Sequence, residues 1–227
     1  MTTDQADHVS RTFWARRAKR PFDVVAALLL VVLLSPVLVA AALLVKLTSR
    51  GPIFFSQDRT GKDGVVIRPL KFRTMRGDRK PDPAELVPLH HPEITPVGRV
   101  LRRLKIDELP QLFNVLTGDM SLVGPRPTLP DQTEKYDAFQ WRRQLVRPGI
   151  AGLAQVNSSA SRSWDERIRY DVHYVAHHGF WMDMGILLKT VIVVLLGEDR
   201  FARPFEQSPY GRGNPSASPA ESPRTGT

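Results

Sequence analysis

VVAALLLVVLLSPVLVAAALLV, residues 24–45, is a run of 22 positions interrupted only by Ser35-Pro36. A helix of about 20 apolar residues spans a hydrocarbon layer of about 30 Å, so this run is long enough to cross a bilayer. Pro36 removes one helical N–H and its ring crowds the preceding turn, while the Ser35 hydroxyl can satisfy a freed carbonyl, so a sharp bend is expected there. Split at the bend, the two arms reach only about 16 and 14 Å at 1.5 Å per residue, roughly half of the hydrocarbon layer each. A helix that enters and returns and a kinked helix that crosses both satisfy this local physics.

The flanks bear on that choice. Arg16, Arg17, Lys19 and Arg20 precede the run, and Lys46 and Arg50 follow it. Cationic flanks are biased to the cytoplasmic side, so charge at both ends argues that neither end is translocated. A cleaved leader fits poorly, because apolar residues continue past Ala40-Ala41-Ala42 to Val45.

Beyond the run, 227 residues with 42% hydrophobic and 24% charged content supply one compact domain, an anchor and a tail. The formal charge of +9 favours an anionic partner: nucleic acid, acidic lipid or a phosphorylated substrate. The absence of cysteine excludes disulfides and thiolate metal sites and leaves nucleophilic chemistry to oxygen or nitrogen.

The expected fold class is α+β and mostly helical. Pro52-Ile53-Phe54-Phe55 and Val65-Val66-Ile67 read as strands of a hairpin around Gly61-Lys62-Asp63-Gly64. Residues 77–93 read as a surface loop in which His90-His91 is solvated rather than metal-binding. Val97, Val100, Leu101 and Leu104 recur at helical spacing among Arg99, Arg102, Arg103 and Lys105, giving an amphipathic basic helix. A second helix follows Pro110, a third covers Trp164 to Val175, and Phe180 to Leu196 reads as a buried or interfacial helix. The expected divisions are a basic segment 1–20, a membrane helix 21–47, a catalytic domain 48–202, and a tail 203–227 too rich in proline and serine to order itself.

The chemistry concentrates in Arg102-Arg103-Leu104-Lys105-Ile106-Asp107-Glu108-Leu109-Pro110-Gln111. Two carboxylates follow the cations and precede a proline suited to a helix's first turn. The positive end of a helix and nearby guanidinium groups would keep a carboxylate ionised and offer bidentate contacts to phosphate. Aspartate can attack phosphorus and a neighbouring glutamate can help to hold a hard divalent cation, magnesium or manganese. Helix capping alone also accounts for an isolated Asp-Glu pair. Gly118-Asp119-Met120-Ser121-Leu122-Val123-Gly124-Pro125-Arg126-Pro127 presents Arg126 on a rigid turn, and Lys71-Phe72-Arg73-Thr74-Met75-Arg76 adds cations beside a strand end.

Together with Lys19-Arg20-Pro21-Phe22-Asp23, Gly51-Pro52-Ile53-Phe54-Phe55-Ser56-Gln57 and Pro148-Gly149-Ile150-Ala151-Gly152-Leu153-Ala154-Gln155-Val156, these stretches resemble the bacterial sugar transferase family, the monotopic phosphoglycosyl transferases. The resemblance implies transfer of a sugar 1-phosphate from a nucleoside diphosphate sugar, usually a UDP-sugar, to polyprenyl (undecaprenyl) phosphate with release of UMP, the first membrane step of exopolysaccharide, capsule, O-antigen or glycoprotein glycan synthesis. It implies Asp107 as nucleophile, Glu108 completing the dyad around magnesium, Arg102 and Arg126 as phosphate ligands, and Lys71, Arg73 and Gln155 as further substrate contacts. It also implies a re-entrant helix broken at Ser35-Pro36 and interfacial amphipathic helices. Ser158-Ser159-Ala160-Ser161 departs from the family pattern, so substrate contacts there are not carried over.

A soluble donor and a lipid phosphate must meet at one interface. The expectation is therefore a re-entrant helix with both ends cytoplasmic and the domain on the cytoplasmic face of the bacterial inner membrane. Anionic lipid, downstream glycosyltransferases and a second copy of the chain are the further partners considered. A non-catalytic membrane scaffold for acidic lipid or a glycosyltransferase is the competing reading of the same basic surface. Nucleic acid is not expected, because no groove-reading or base-stacking motif is present.

Overall fold

The computed structural model describes residues 8–76, 91–158, 163–197 and 199–211. The apolar run forms helix α1, Lys19–Thr48, entered through a π-helical turn Trp14–Ala18. The helix that continues through both elements is long and apolar enough to cross a membrane. Helical assignment is unbroken across Pro36, so the expected break is not a break in secondary structure. The local repair is the expected one: Ser35 Oγ donates to the Val32 carbonyl at 2.8 Å, the oxygen that the missing N–H of Pro36 would have served.

Both arms of α1 rest on the folded domain. Ala27 belongs to the main core, with Phe22, Ala26, Leu30 and Val31 packed around it. Ala41 and Val45 form a second core with Phe72 and Leu101. Between these contacts the helix is bare, with Leu33 73% exposed. Its one acidic residue, Asp23, points inward and accepts from Ser121 Oγ at 2.7 Å and the Leu122 amide at 3.3 Å.

A long hairpin follows, built from β1 (Phe54–Ser56), β2 (Arg59–Thr60), β3 (Val66–Ile67) and β4 (Leu70–Phe72). The turn lies at Lys62–Gly64 as expected, with Asp63 and Gly64 at positive φ of 56° and 81°. The pairing differs from expectation. Phe54 and Phe55 face Phe72 and Lys71, while Val66 and Ile67 face Thr60 and Arg59. These pairs share one register, interrupted at Pro69, which brings no N–H to the ladder. Asn114 fills the gap by accepting from the Leu70 amide at 2.8 Å and donating to the Arg68 carbonyl at 3.1 Å.

Helix α2 (Pro96–Arg103) starts at Thr95, whose hydroxyl accepts from the Gly98 amide at 2.9 Å. Gly98 lies flat on the end of the hairpin, where a Cβ would sit 2.1 Å from the Thr74 carbonyl oxygen. Of the apolar positions that recur at helical spacing, Leu101 is buried, whereas Val100 and Leu104 are exposed. The basic helix therefore presents a mixed apolar and cationic outer face.

Next come α3 (Gln111–Thr117), β5 (Ser121–Val123), the single turns α4 (Pro130–Thr133) and α5 (Ala138–Trp141), β6 (Gly149–Ala151), paired in parallel with β5, and α6 (Leu153–Asn157). Helices α7 (Trp164–His177) and α8 (Phe180–Leu196) complete the domain. On α8 the usual polarity is inverted: Asp183 is 1% exposed and Trp181 83%. Asp183 accepts from Lys19 Nζ at 2.7 Å, Trp14 Nε1 at 2.8 Å and Tyr174 OH at 2.8 Å, and Lys189 donates to Asn157 Oδ1 at 2.6 Å. Charges turn inward to partners and apolar side chains turn out, leaving an exposed apolar face on α8. Packed residues continue past 202: Phe205 is buried in the main core and Tyr210 packs against it. The remainder of the expected tail, like His90 and Ser159–Ser161, lies outside the described residues.

Candidate active site

Asp107 and Glu108 occupy a 3-10 turn, Ile106–Glu108, between α2 and α3. Lys105 opens this turn in the left-handed region at φ 55°, a conformation uncommon for a residue with a side chain and concentrated at functional sites. The Glu108 amide donates to the Lys105 carbonyl at 3.2 Å, closing the turn and directing both carboxylates into the domain. The far end of α3 is secured by α1, since Arg20 donates to the carbonyls of Val115 at 2.6 Å and Leu116 at 3.1 Å. Gly118, at φ +100°, then reverses the chain.

Two elements converge on Glu108. Lys71 on β4 donates to Oε1 at 2.6 Å, and Arg126, on the turn after β5, donates to Oε1 at 2.8 Å and Oε2 at 3.4 Å. Burial alone would raise the Glu108 carboxyl, but Arg126 and Lys71 hold it well below the usual carboxylate range. Burial pushes the Lys71 ammonium down, against the attraction of Glu108.

Asp107 behaves oppositely. Burial, followed by repulsion from Glu108, raises its carboxyl above the ordinary value, with Lys71, Arg102 and Lys105 opposing. Its Oδ1 is buried and accepts no hydrogen bond among the described residues. Two adjacent carboxylates thus have distinct characters: Glu108 is a fixed anion held by two cations, and Asp107 has a raised pKa and an oxygen without a hydrogen bond. Arg102 is oriented by donating from Nε to Thr74 Oγ1 at 2.8 Å, and its charge acts on both carboxylates.

Of the residues expected from sequence, Asp107, Glu108, Lys71, Arg102 and Arg126 come together. Arg73 and Gln155 are engaged elsewhere. Arg73 donates to Ser49 Oγ at 2.6 Å and the Ser49 carbonyl at 2.8 Å, bracing the end of α1, and Gln155 Nε2 donates to the Ile150 carbonyl at 3.1 Å. Arg59 on β2 belongs with the site but was not anticipated. Burial and the nearby charge of Arg126 lower its guanidinium to about 10, with Glu108 opposing. No local signal marks it, because its place depends on a tertiary pairing, Thr60 with Thr128, that brings β2 beside the Pro-Arg-Pro turn.

A divalent cation has a limited protein ligand set here. Among the described residues no group of three or more His, Asp or Glu could hold a metal ion. The unpartnered Asp107 Oδ1 is one open hard-oxygen ligand, while both Glu108 oxygens already accept from cations. One or two carboxylates completed by phosphate oxygens and water is a coordination mode suited to magnesium.

Comparison with known proteins adds the following. A family model described as bacterial sugar transferase matches residues 14–197. The chain is 42% identical over 185 residues to the UDP-N-acetylgalactosamine-undecaprenyl-phosphate N-acetylgalactosaminephosphotransferase of Aeromonas hydrophila, covering 79% of this chain and 44% of that protein. It is 43% identical over 180 residues to the uncharacterized sugar transferase EpsL of Bacillus subtilis, covering 79% of this chain and 88% of EpsL. It is 40% identical over 184 residues to the UDP-glucose:undecaprenyl-phosphate glucose-1-phosphate transferase of Escherichia coli, covering 78% of this chain and 40% of that protein. The chain therefore spans less than half of the Aeromonas and Escherichia relatives and most of EpsL.

Proposed function

The chain belongs to the bacterial sugar transferase family, and from that premise we propose that it moves a sugar 1-phosphate from a nucleoside diphosphate sugar to undecaprenyl phosphate. The observation that carries this reading is the pair of buried adjacent carboxylates, one ion-paired and one open, enclosed by cations. The names of the Aeromonas and Escherichia relatives supply the classes of donor and acceptor.

In the proposed reaction the open oxygen of Asp107 attacks the phosphorus that bears the sugar. A P–O bond forms to Asp107, the bond to the bridging oxygen breaks, and the nucleoside monophosphate, UMP for a UDP-sugar, leaves with that electron pair. An oxygen of the polyprenyl phosphate then attacks the same phosphorus and releases Asp107. Glu108 holds Lys71 and Arg126 in place to meet the charge that develops on the phosphate oxygens, and Arg102 adds its charge beside Asp107. The Asp107 oxygen that does not attack, with Glu108 beside it, would hold magnesium, which would supply neutralising charge for the diphosphate.

The reading extends to location. Along a straight axis, Asp23 and Val45 would lie about 33 Å apart, more than the ~30 Å of a hydrocarbon layer. Both nonetheless contact the same domain, Asp23 through Ser121 and Val45 through Phe72 and Leu101. Contacts at both ends support a helix that dips into the membrane and returns to the same side, and the cationic flanks favour the cytoplasmic face for that side. The outward apolar face of α8 would lie in the same interface.

The test combines the purified full chain with undecaprenyl phosphate, magnesium and a panel of UDP-sugars, and measures UMP release. Asp107→Asn should reduce turnover by about a thousandfold or more while the protein stays folded. Undiminished UMP release by that variant would remove the covalent mechanism and favour a different nucleophile. Binding to acidic lipid without turnover of any donor would favour the scaffold reading.

A further inference from the structure

Arg59 sits on the short strand β2, whose next residue is bound to the segment that carries Arg126. The Thr60 amide donates to the Thr128 carbonyl at 2.8 Å, and Thr133 Oγ1 donates to Thr60 Oγ1 at 2.9 Å. This stitching fixes β2 against the Pro-Arg-Pro turn and brings Arg59 within electrostatic reach of Arg126 and Glu108. Arg59 is partly buried, and its Nη2 donates to Gln57 Oε1 at 2.8 Å, a neutral partner that orients the group without cancelling its charge.

The charge balance shows what such an arrangement is suited to. Arg59, Lys71, Arg102, Lys105 and Arg126 act on two carboxylates, Asp107 and Glu108, so positive charge is in excess at the site. Like charges held together in partly buried surroundings oppose folding unless an anion joins them. A diphosphate ester carries two negative charges. Lys71 and Arg126 are committed to Glu108 next to the nucleophile, on the side of the phosphate under attack. Arg59 is set back on the hairpin, bonded only to a neutral amide among the hydrogen bonds described.

We infer that Arg59 is a donor-binding residue that takes the nucleoside-side phosphate of the diphosphate, the phosphate that departs with the nucleoside. This assignment rests on the proposed phosphoryl transfer and adds to it a separate subsite for the leaving group. Arg59 would hold that phosphate before the bond breaks and neutralise the charge that accumulates on it afterwards. The acceptor, which brings a lipid phosphate and no nucleoside, would not use Arg59.

The experiment measures binding of UMP and of inorganic pyrophosphate to the full chain in lipid nanodiscs by calorimetry, with wild type, Arg59→Gln and Arg59→Lys compared at two salt concentrations. Arg59→Gln should weaken both anions about tenfold or more, the loss of a charge-assisted contact, and Arg59→Lys by less. In turnover the same variants should raise KM for the donor and leave KM for undecaprenyl phosphate unchanged. Equal UMP affinity in wild type and Arg59→Gln overturns the assignment, as does an equal rise in both KM values. If Arg59→Gln does not fold, wild-type affinity in Arg59→Lys with a rise only in acceptor KM overturns it equally. Loss of UMP binding in the variants of a protein that turns over no donor would sustain the anion site and bring down the transferase reading.

Discussion

Arg143 Nη2 donates to the backbone carbonyl of Arg126 across 2.9 Å, while the same guanidinium group is ion-paired with Asp171 at 2.5 Å. Both partners of the ion pair are almost wholly buried, and Arg143 Nη1 also donates to Tyr136 OH at 2.7 Å. The turn that presents Arg126 to Glu108 is thus anchored from behind by a charge with no route to solvent.

Arg143 should therefore act as a positioning residue. Arg143→Met leaves Asp171 buried without its cation and should cost about 3–5 kcal/mol of stability. The double variant Arg143→Met/Asp171→Leu removes both charges and should recover most of that stability, because a buried pair replaced by apolar groups is often neutral. Activity should remain about tenfold or more below wild type in the double variant, since the Arg126 carbonyl is still unheld. Thermal midpoints and donor KM, measured side by side, separate the two effects. Activity that returns with stability would show Arg143 to be a packing residue only.

The topology of α1 can be read chemically, because the chain contains no cysteine and an introduced thiol is its sole reactive one. Arg11→Cys and Arg50→Cys flank the helix at exposed positions. Both should react with a membrane-impermeant maleimide from the cytoplasmic side only, in inverted and right-side-out vesicles compared directly. Labelling of the two positions from opposite faces would establish a crossing helix.

His173, in the last turns of α7, makes stability depend on pH. Burial, and then the nearby His177, lower its pKa from 6.5 to about 4. Between those values the unfolded chain binds more protons than the folded one, so stability rises with pH through this window. Its contribution is complete above about pH 6.5 and is lost as pH falls toward 4. The thermal midpoint should decline over that range in wild type and decline less in His173→Gln. An identical decline in both would exclude His173 as the source.

Much of this architecture is legible in the sequence. The Ser35 hydroxyl serves the carbonyl that proline's chemistry predicts, and α8 begins and ends at Phe180 and Leu196 as the apolar pattern requires. Where reading failed, the deciding contact was distant. Strand partners were misassigned because Pro69 and Asn114 shift the break in the hairpin, and Asn114 lies on another element. Periodicity identified the apolar positions of α2 but not which of them are covered: Leu101 is buried while Val100 and Leu104 are exposed.

The site divides in the same way. Asp107, Glu108, Lys71, Arg102 and Arg126 carry dense local motifs and meet in space. Arg73 has an equally good local motif, yet its charge goes to Ser49. Arg59 lacks a distinctive motif and reaches the site through Thr60 and Thr128, residues far apart in the chain.

The contact of Asp23 with Ser121 and Leu122, and the place of Ala27 in the main core, have a consequence for how this protein can be cut or recombined. An anchor joined through a flexible tether can be exchanged for another or deleted to release a soluble enzyme. Here the anchor supplies core side chains and, through Arg20, the carbonyl partner at the end of the helix that follows the dyad. Trimming it away would open the interior rather than free it, and grafting a foreign anchor would require a matching aspartate, arginine and small residue at the same three heights. The boundary between membrane part and catalytic part is one of surroundings, not of folding units.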